Sequence, residues 1–217
     1  MDWSADFAYA VGLLTTDGSL SIDGRHINLT SKDIDQIKTF ARILGLKNKI
    51  GLKSSTYNPE GIYYQIQFGN VKLYRFLLSI GLTPNKTKSL RKLKIPDKYF
   101  ADFLRGHLDG DGSTYSYWDK RWKSSFTLYT EFISASEDHL IWIKETIKRL
   151  YKISGKITEH RIYHLRYAKK SSCEIIKVMY YKADVSCLER KRSKIMKALS
   201  IIDEQNAGVL KLVNRHA

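Results

Sequence analysis

Asp17 and Asp111 stand at the same place in two copies of one short pattern. The first copy, 7–19, reads FAYAVGLLTTDGS, and the second, 101–113, reads ADFLRGHLDGDGS. At a constant offset of 94 residues Gly12 matches Gly106, Leu14 matches Leu108, and Asp17, Gly18 and Ser19 match Asp111, Gly112 and Ser113. A pattern that keeps its glycines and its acid in place reads as an internal repeat. Each copy reads as a helix ending in a carboxylate. An acid there faces the negative pole of the helix dipole, a penalty of roughly 0.3–1 kcal/mol. Two such helices packed side by side would bring Asp17 and Asp111 together and add their mutual repulsion. A bound divalent cation removes both problems. The chemistry open to such a pair is phosphodiester hydrolysis. Carboxylate-held metals position a water, neutralise the scissile phosphate and assist the leaving oxygen. Mg²⁺ suits the task, because it keeps its waters and accepts one or two carboxylates plus phosphate oxygens.

The elements that position these acids follow from the pattern around them. Ser4 can cap the first helix, and Pro96-Asp97 can open the second. Gly18 and Gly112 are expected to end them as C-terminal glycines do. A mid-helix glycine is worse than alanine by about 1 kcal/mol, so Gly12 and Gly106 imply that another backbone comes very close. After the first motif, 19–22 and 26–30 alternate around Asp23-Gly24, a hairpin signal. Leu20, Ile22, Ile27 and Leu29 are expected on one face, with His26, Asn28 and Thr30 on the other. A helix follows, capped by Ser31 or Asp33 and ending at Gly45. A second hairpin sets Ile50 and Leu52 inward and turns at Asn58-Pro59-Glu60-Gly61. Val71–Leu82 reads as a helix, and 84–95, carrying Lys86, Lys88, Arg91, Lys92 and Lys94, as the basic linker between the halves, for which a merely solvated connector is the plainest reading. The second half repeats the plan with a longer first hairpin. Its further helices are expected over 172–180 and 189–202, with a basic tail after them.

Composition narrows the partners. The 217 residues include 37 Lys+Arg against 22 Asp+Glu, a net charge of +15. An excess of this size points to a polyanion, above all nucleic acid. Two cysteines, Cys173 and Cys187, form no disulfide framework and no zinc spacing. The six histidines show no H-E-x-x-H pattern of a metal hydrolase. No signal-peptide core and no run of about 20 apolar residues is present. The expectation is an intracellular protein, cytoplasmic or organellar, without a membrane partner.

AVGLLTTDG (10–18) and LRGHLDGDG (104–112) resemble the two copies of the signature in LAGLIDADG homing endonucleases. The second copy matches at Leu104, Gly106, Leu108, Asp109, Asp111 and Gly112. The first matches at Gly12, Leu13, Leu14, Asp17 and Gly18, with Thr15 where the family has its first acid. That first acid is not the family's metal ligand. The resemblance covers nearly the whole chain. It implies an α+β fold of two pseudo-symmetric αββαββα units, 1–92 with the connector and 93–217. The motif helices would form the interface beneath a saddle-shaped antiparallel sheet surface for double-stranded DNA. It further implies a monomer that makes a double-strand break at a long, asymmetric site. Asp17 and Asp111 would share two or three Mg²⁺ ions, with Mn²⁺ or Ca²⁺ able to substitute, and the carbonyls of Thr16 and Gly110 would complete the coordination. Lys86 and Lys191 fall where the family places a lysine near metal and water. Ser31, Lys32 and Ser134 fall where it places a water-positioning residue. Target reading would lie on the outward hairpin faces, at Arg25, His26, Asn28, Lys49, Lys53, Gln65, Gln67, Lys120, Arg121, Lys123, Tyr129, Lys156, His164 and Arg166. The alternative is an RNA-splicing maturase acting on its own intron RNA, or a non-cleaving DNA-binding protein, on the same scaffold.

Overall fold

A computed structural model describes residues 1–53, 61–122 and 125–213, with side chains through residue 207. The expected turn at 58–60, Lys123 and the last four residues lie outside the described residues. The first unit runs α1 (Ala5–Thr16), β1 (Gly18–Leu20), β2 (His26–Ser31), α2 (Ile34–Leu44), β3 (Gly51–Lys53), β4 (Tyr63–Gly69) and α3 (Val71–Ser79). A 3-10 turn, Asp97–Tyr99, opens the second. It continues α4 (Phe100–Gly110), β5 (Ser113–Trp118), β6 (Phe126–Ser134), α5 (Glu137–Tyr151), β7 (Lys156–His160), β8 (Ile162–Tyr167) and α6 (Lys169–Met179), and a long helix α7 (Glu189–Val213) follows. Each unit holds one antiparallel four-stranded sheet, in the orders β1-β2-β4-β3 and β5-β6-β8-β7. This is the α+β, pseudo-symmetric two-unit architecture expected from the repeat. Among the described residues the two sheets stay separate, so they do not merge across the axis as one hydrogen-bonded sheet.

The units are joined by α1 packed on α4. α1 starts at Ser4, whose Oγ accepts from the Phe7 amide at 3.1 Å. It is buried on every side from Phe7 to Thr15, because its own sheet lies on one flank and α4 on the other. The two mid-helix glycines mark the crossing. A Cβ at Gly106 would lie 2.1 Å from the Tyr9 carbonyl oxygen, and one at Gly12 would lie 2.4 Å from that of Phe103. Here backbone meets backbone with no room for a methyl group.

Gly18 and Gly112 act differently from expectation. The residues before them, Asp17 and Asp111, close the helices with right-handed φ values of −86° and −87°, and neither glycine has a positive φ. Each is required because the chain folds straight back from helix into strand. A Cβ would sit 2.6 Å from the Leu14 Cα in one unit and 2.5 Å from the Leu108 Cα in the other. That sharp exit places each aspartate at the mouth of its helix with a strand edge beside it.

Three further expectations are corrected. Ile22 is 87 % exposed, because β1 ends at Leu20 and Ile22 falls in the turn. Leu52 is 75 % exposed on the short edge strand β3. The basic connector is not a solvated linker. Leu82, Leu90 and Leu93 are buried, the Lys94 amide donates to the Ile80 carbonyl at 2.8 Å, and Ser136 of the second unit donates through its hydroxyl to the Leu90 carbonyl. The segment is therefore fastened to both units, and Lys86 is carried on structured backbone. Among the described residues, no helix is long and apolar enough to cross a membrane.

Candidate metal and nucleic-acid site

The site is built at the adjoining C-terminal ends of α1 and α4. The Asp17 carboxylate reaches across to the second helix. A Cβ at Gly110 would fall 3.0 Å from Asp17 Oδ2 and 1.9 Å from Thr16 Oγ1. Glycine at 110 thus leaves the space the first helix needs. Asp17 is half-buried and Asp111 opens to solvent. Protein mass around the mouth raises both carboxyls, and the Asp111 charge pushes Asp17 further, to about 7. Two carboxylates in such a state are short of positive charge.

Two lysines partly supply it, in matched geometry. Lys86 Nζ donates to the Thr16 carbonyl at 3.2 Å and the Gly18 carbonyl at 2.6 Å. Lys191 Nζ, from the first turn of α7, donates to the Gly110 carbonyl at 3.3 Å and the Gly112 carbonyl at 2.8 Å. These are the same repeat positions in each unit. Each ammonium caps the unsatisfied carbonyls of a motif helix and complements its dipole. Burial lowers both amines, while the two aspartates hold them up. The carbonyls of Thr16 and Gly110 therefore already accept one hydrogen bond each, at the longer distances, and each keeps a second lone pair. Thr16, Lys86, Asp111 and Ser134 line one open cleft of about 220 Å³. A larger cleft of about 700 Å³, between the connector and α5, holds none of these residues.

A residue that carried no sequence signal completes the first half. Gln36, buried on α2, donates from Nε2 toward Asp17 Oδ2 at 3.5 Å, and its Oε1 accepts from Ser31 Oγ at 2.7 Å. Ser31 also accepts from the Asp33 amide at 3.0 Å, so it both supports the α2 entry and orients the amide. Ser134 accepts in the same way from the Ser136 amide. His139 occupies the place of Gln36 in the second unit, but it turns to the Arg91 carbonyl at 2.9 Å and stacks on His107 at 5.3 Å. Lys32 is exposed and lies over the Tyr63 ring at 5.3 Å. Exchanging Gln36 for methionine keeps its length and removes the donor. The expected result is a rise in the Asp17 pKa. NMR titration of the Asp17 carboxyl checks this, and an unchanged titration contradicts it.

The outward sheet faces differ between units. On the first, Ser19, Asn28 and Gln67 fall in one cross-strand row, and Thr30 and Gln65 in the next. Asn28 Nδ2 donates to Ser19 Oγ at 2.8 Å. At the turn, Arg25 is exposed, and His26 Nδ1 lies 2.5 Å from Asp23 Oδ2. Lys49 and Lys53 are exposed near the outer edge. On the second, Tyr129 stacks on Tyr115 at 5.2 Å and on Tyr117 at 6.4 Å. Arg166 lies over Tyr129. The 5 %-exposed Glu131 engages Arg166, His164 at 3.4 Å and the Tyr115 hydroxyl at 3.1 Å. Arg166 and His164 are therefore held by an internal acid. Lys120, Arg121 and Lys156 are exposed at the periphery. Among the described residues no group of three or more His, Cys, Asp or Glu side chains is placed to hold a metal by itself. The pair Asp17 and Asp111 fits a cation that takes one or two carboxylates and fills its shell with water and phosphate.

No protein-family model matches the sequence, and no curated protein is significantly similar to it. Solved structures are similar in fold. Full-length DUF199/WhiA from Thermatoga maritima superposes with a TM-score of 0.59 over 100 % of this chain and 68 % of its own, at 15 % identity. The homing endonuclease I-WcaI bound to its DNA recognition sequence gives a TM-score of 0.62, covering 89 % of this chain and 88 % of its own at 10 % identity. I-DmoI in complex with DNA and Mn gives 0.54, covering 82 % and 98 % at 15 % identity. Across such low identity it is the architecture that is shared, and the fold of this chain is the LAGLIDADG fold.

Proposed function

We propose that this chain is a metal-dependent, site-specific endonuclease that cuts both strands of a long, asymmetric DNA site. The observation that carries the reading is the convergence of Asp17 and Asp111, each flanked by a lysine, at the adjoining ends of two pseudo-symmetric helices. The same fold occurs in homing endonucleases and in WhiA, so the fold does not choose between cutting and binding. The paired carboxylates favour cutting.

Asp17 and Asp111 would hold Mg²⁺ or Mn²⁺, with the Thr16 and Gly110 carbonyls beside them. When bound, the metal supplies an activated water and neutralises charge on the scissile phosphate. The chain's own residues do the rest. The two-fold arrangement offers one carboxylate and one lysine to each strand. Lys86 and Lys191, held over the helix ends by backbone carbonyls, would add positive charge beside the phosphate. Gln36 orients Asp17. The unlike faces, amide-bearing in one unit and tyrosine-bearing in the other, suit a target without palindromy. Asn and Gln amides can pair with adenine edges in the major groove.

Selection of cleaved sites from a random duplex library, with Mg²⁺ present, tests the reading. It predicts one preferred site cut on both strands. Binding to an enriched site with no cut on either strand would leave only the DNA-binding alternative. Affinity for the selected site should also fall by about 10³-fold or more between 50 and 200 mM salt, because several phosphates are neutralised at once. Filter binding across that range checks this, and a flat response contradicts a basic DNA-binding face.

A further inference from the structure

The two halves of the site are not equally supported, and the difference is written in the repeat. Where the copies differ at equivalent positions, three exchanges belong to one network: Tyr9 against Phe103, Val11 against Arg105, and Thr15 against Asp109. In the first unit Thr15 bonds only within its own helix, donating to the Val11 carbonyl at 2.7 Å. In the second, Asp109 reaches out. Its Oδ2 accepts from the Leu188 amide at 2.7 Å and from the Tyr9 hydroxyl at 2.9 Å, while Oδ1 is buried with no hydrogen-bond partner among the described residues. Leu188 immediately precedes α7, and its carbonyl accepts from the Lys191 and Arg192 amides of the first turn. Asp109 therefore grips the positive end of α7. Fully buried Arg105 fixes the chain leading there, donating to the carbonyls of Ser186 and Met179 and pairing with Asp102 at 2.7 Å.

The grip is mutual. Three residues beyond Leu188, the three N–H groups of the Lys191 ammonium are shared among four carbonyls of the α4 terminus, those of Leu108, Asp109, Gly110 and Gly112. Lys86 makes two such bonds and stands on irregular backbone next to Asn85, a residue with a φ of 52°. Among the described residues, no buried carboxylate accepts a hydrogen bond from the backbone beside Lys86.

We propose that Asp109 and Tyr9 are positioning residues that lock Lys191 over the end of α4, so that the half-site served by Lys191 is pre-organised and its strand is cut first. This rests on the endonuclease reading above. A buried carboxylate with one unpartnered oxygen disfavours folding, and a positioning role gives it a use. Pre-organised charge at a reacting phosphate acts without rearrangement in the transition state.

The test is the double substitution Tyr9→Phe with Asp109→Thr, which installs in the second unit the pairing the first already has. Single-turnover cleavage of a duplex labelled on each strand should show wild type passing through one nicked intermediate. The variant should cut that first strand at least about tenfold more slowly and the other strand within about twofold of wild type. Lys191→Met should slow the same strand. Equal slowing of both strands, or none, overturns the proposal. A second readout needs no cleavage. Reductive methylation followed by mass spectrometry should find Lys191 more protected than Lys86 in wild type, and equally reactive in the variant. Unchanged protection of Lys191 in a folded variant overturns the positioning role even if the protein cuts no DNA. Differing protection together with an uncut duplex overturns the endonuclease reading and the cutting order, and leaves the positioning.

Discussion

If the proposed function holds, Asp17→Asn and Asp111→Asn are each expected to slow cleavage of both strands by about a thousandfold or more, while duplex affinity stays within about threefold. The acids supply little to binding, since they carry the wrong charge for phosphate. In the proposed mechanism they would supply most of the hold on the metal. The same substitutions have a second, opposite effect on stability. The Asp17 carboxyl is raised from 3.8 to about 7 by burial and by Asp111. A raised acid binds more protons in the folded state than in the unfolded one between those two values. Stability of the metal-free protein therefore falls as pH rises from about 4 to about 7, and levels off above. Asp17→Asn removes that dependence and stabilises the metal-free protein at pH 8 by on the order of 2 kcal/mol, after allowance for solvent screening. Added Mn²⁺ should raise the melting temperature of wild type and leave Asp17→Asn much less affected. Thermal melts at pH 5 and pH 8, with and without Mn²⁺, check both signs. A variant that melts lower than wild type at pH 8 contradicts the repulsion between the acids.

The second large effect lies in the helix crossing. Gly106→Ala is expected to destabilise the fold by about 3–5 kcal/mol, close to the whole stability of a marginal domain. Its new Cβ would meet the Tyr9 carbonyl oxygen at 2.1 Å and the Gly12 Cα at 3.1 Å. Both neighbours are backbone and cannot turn aside. Relief requires separating α1 from α4, which also separates the acids. Gly51→Ala is the matching control. Its nearest neighbour, the Gln65 carbonyl oxygen, is 3.9 Å from the new Cβ, so the change should stay within about 0.5 kcal/mol. Urea denaturation of the two variants checks the contrast. Similar midpoints for both would mean that the helices have room to spare at the crossing.

The parts legible in the sequence were those governed by periodicity and by the repeat. Strand alternation placed Leu20, Ile27 and Leu29 in the core, where they lie. The doubled glycines announced the helix contact. The family resemblance singled out Lys86 and Lys191, which cap equivalent carbonyls. What stayed hidden depends on distant chain. Gln36 sits among the polar residues of α2, and nothing local says that it alone points inward to Asp17. The connector looked solvated because its lysines outnumber its leucines, yet Leu90 and Leu93 are anchored by contacts to the second unit. Gly18 and Gly112 suggested left-handed caps, because a glycine after a helix usually serves that need. Here the constraint is steric, and it appears only once the strand is folded back on Leu14 and Leu108. Glu131 could not be recognised as the partner of Arg166 and His164, since strand pairing between β6 and β8 brings together residues more than 30 positions apart. The differences between the repeat copies proved as informative as the matches, since Tyr9, Arg105 and Asp109 form one network.

The most direct measurement of the central claim is anomalous diffraction from crystals of the protein soaked in Mn²⁺. The account predicts a peak between the two motif helices, within about 2.3 Å of a carboxylate oxygen of Asp17 and of Asp111. Manganese bound elsewhere, with neither carboxylate in its shell, would contradict it.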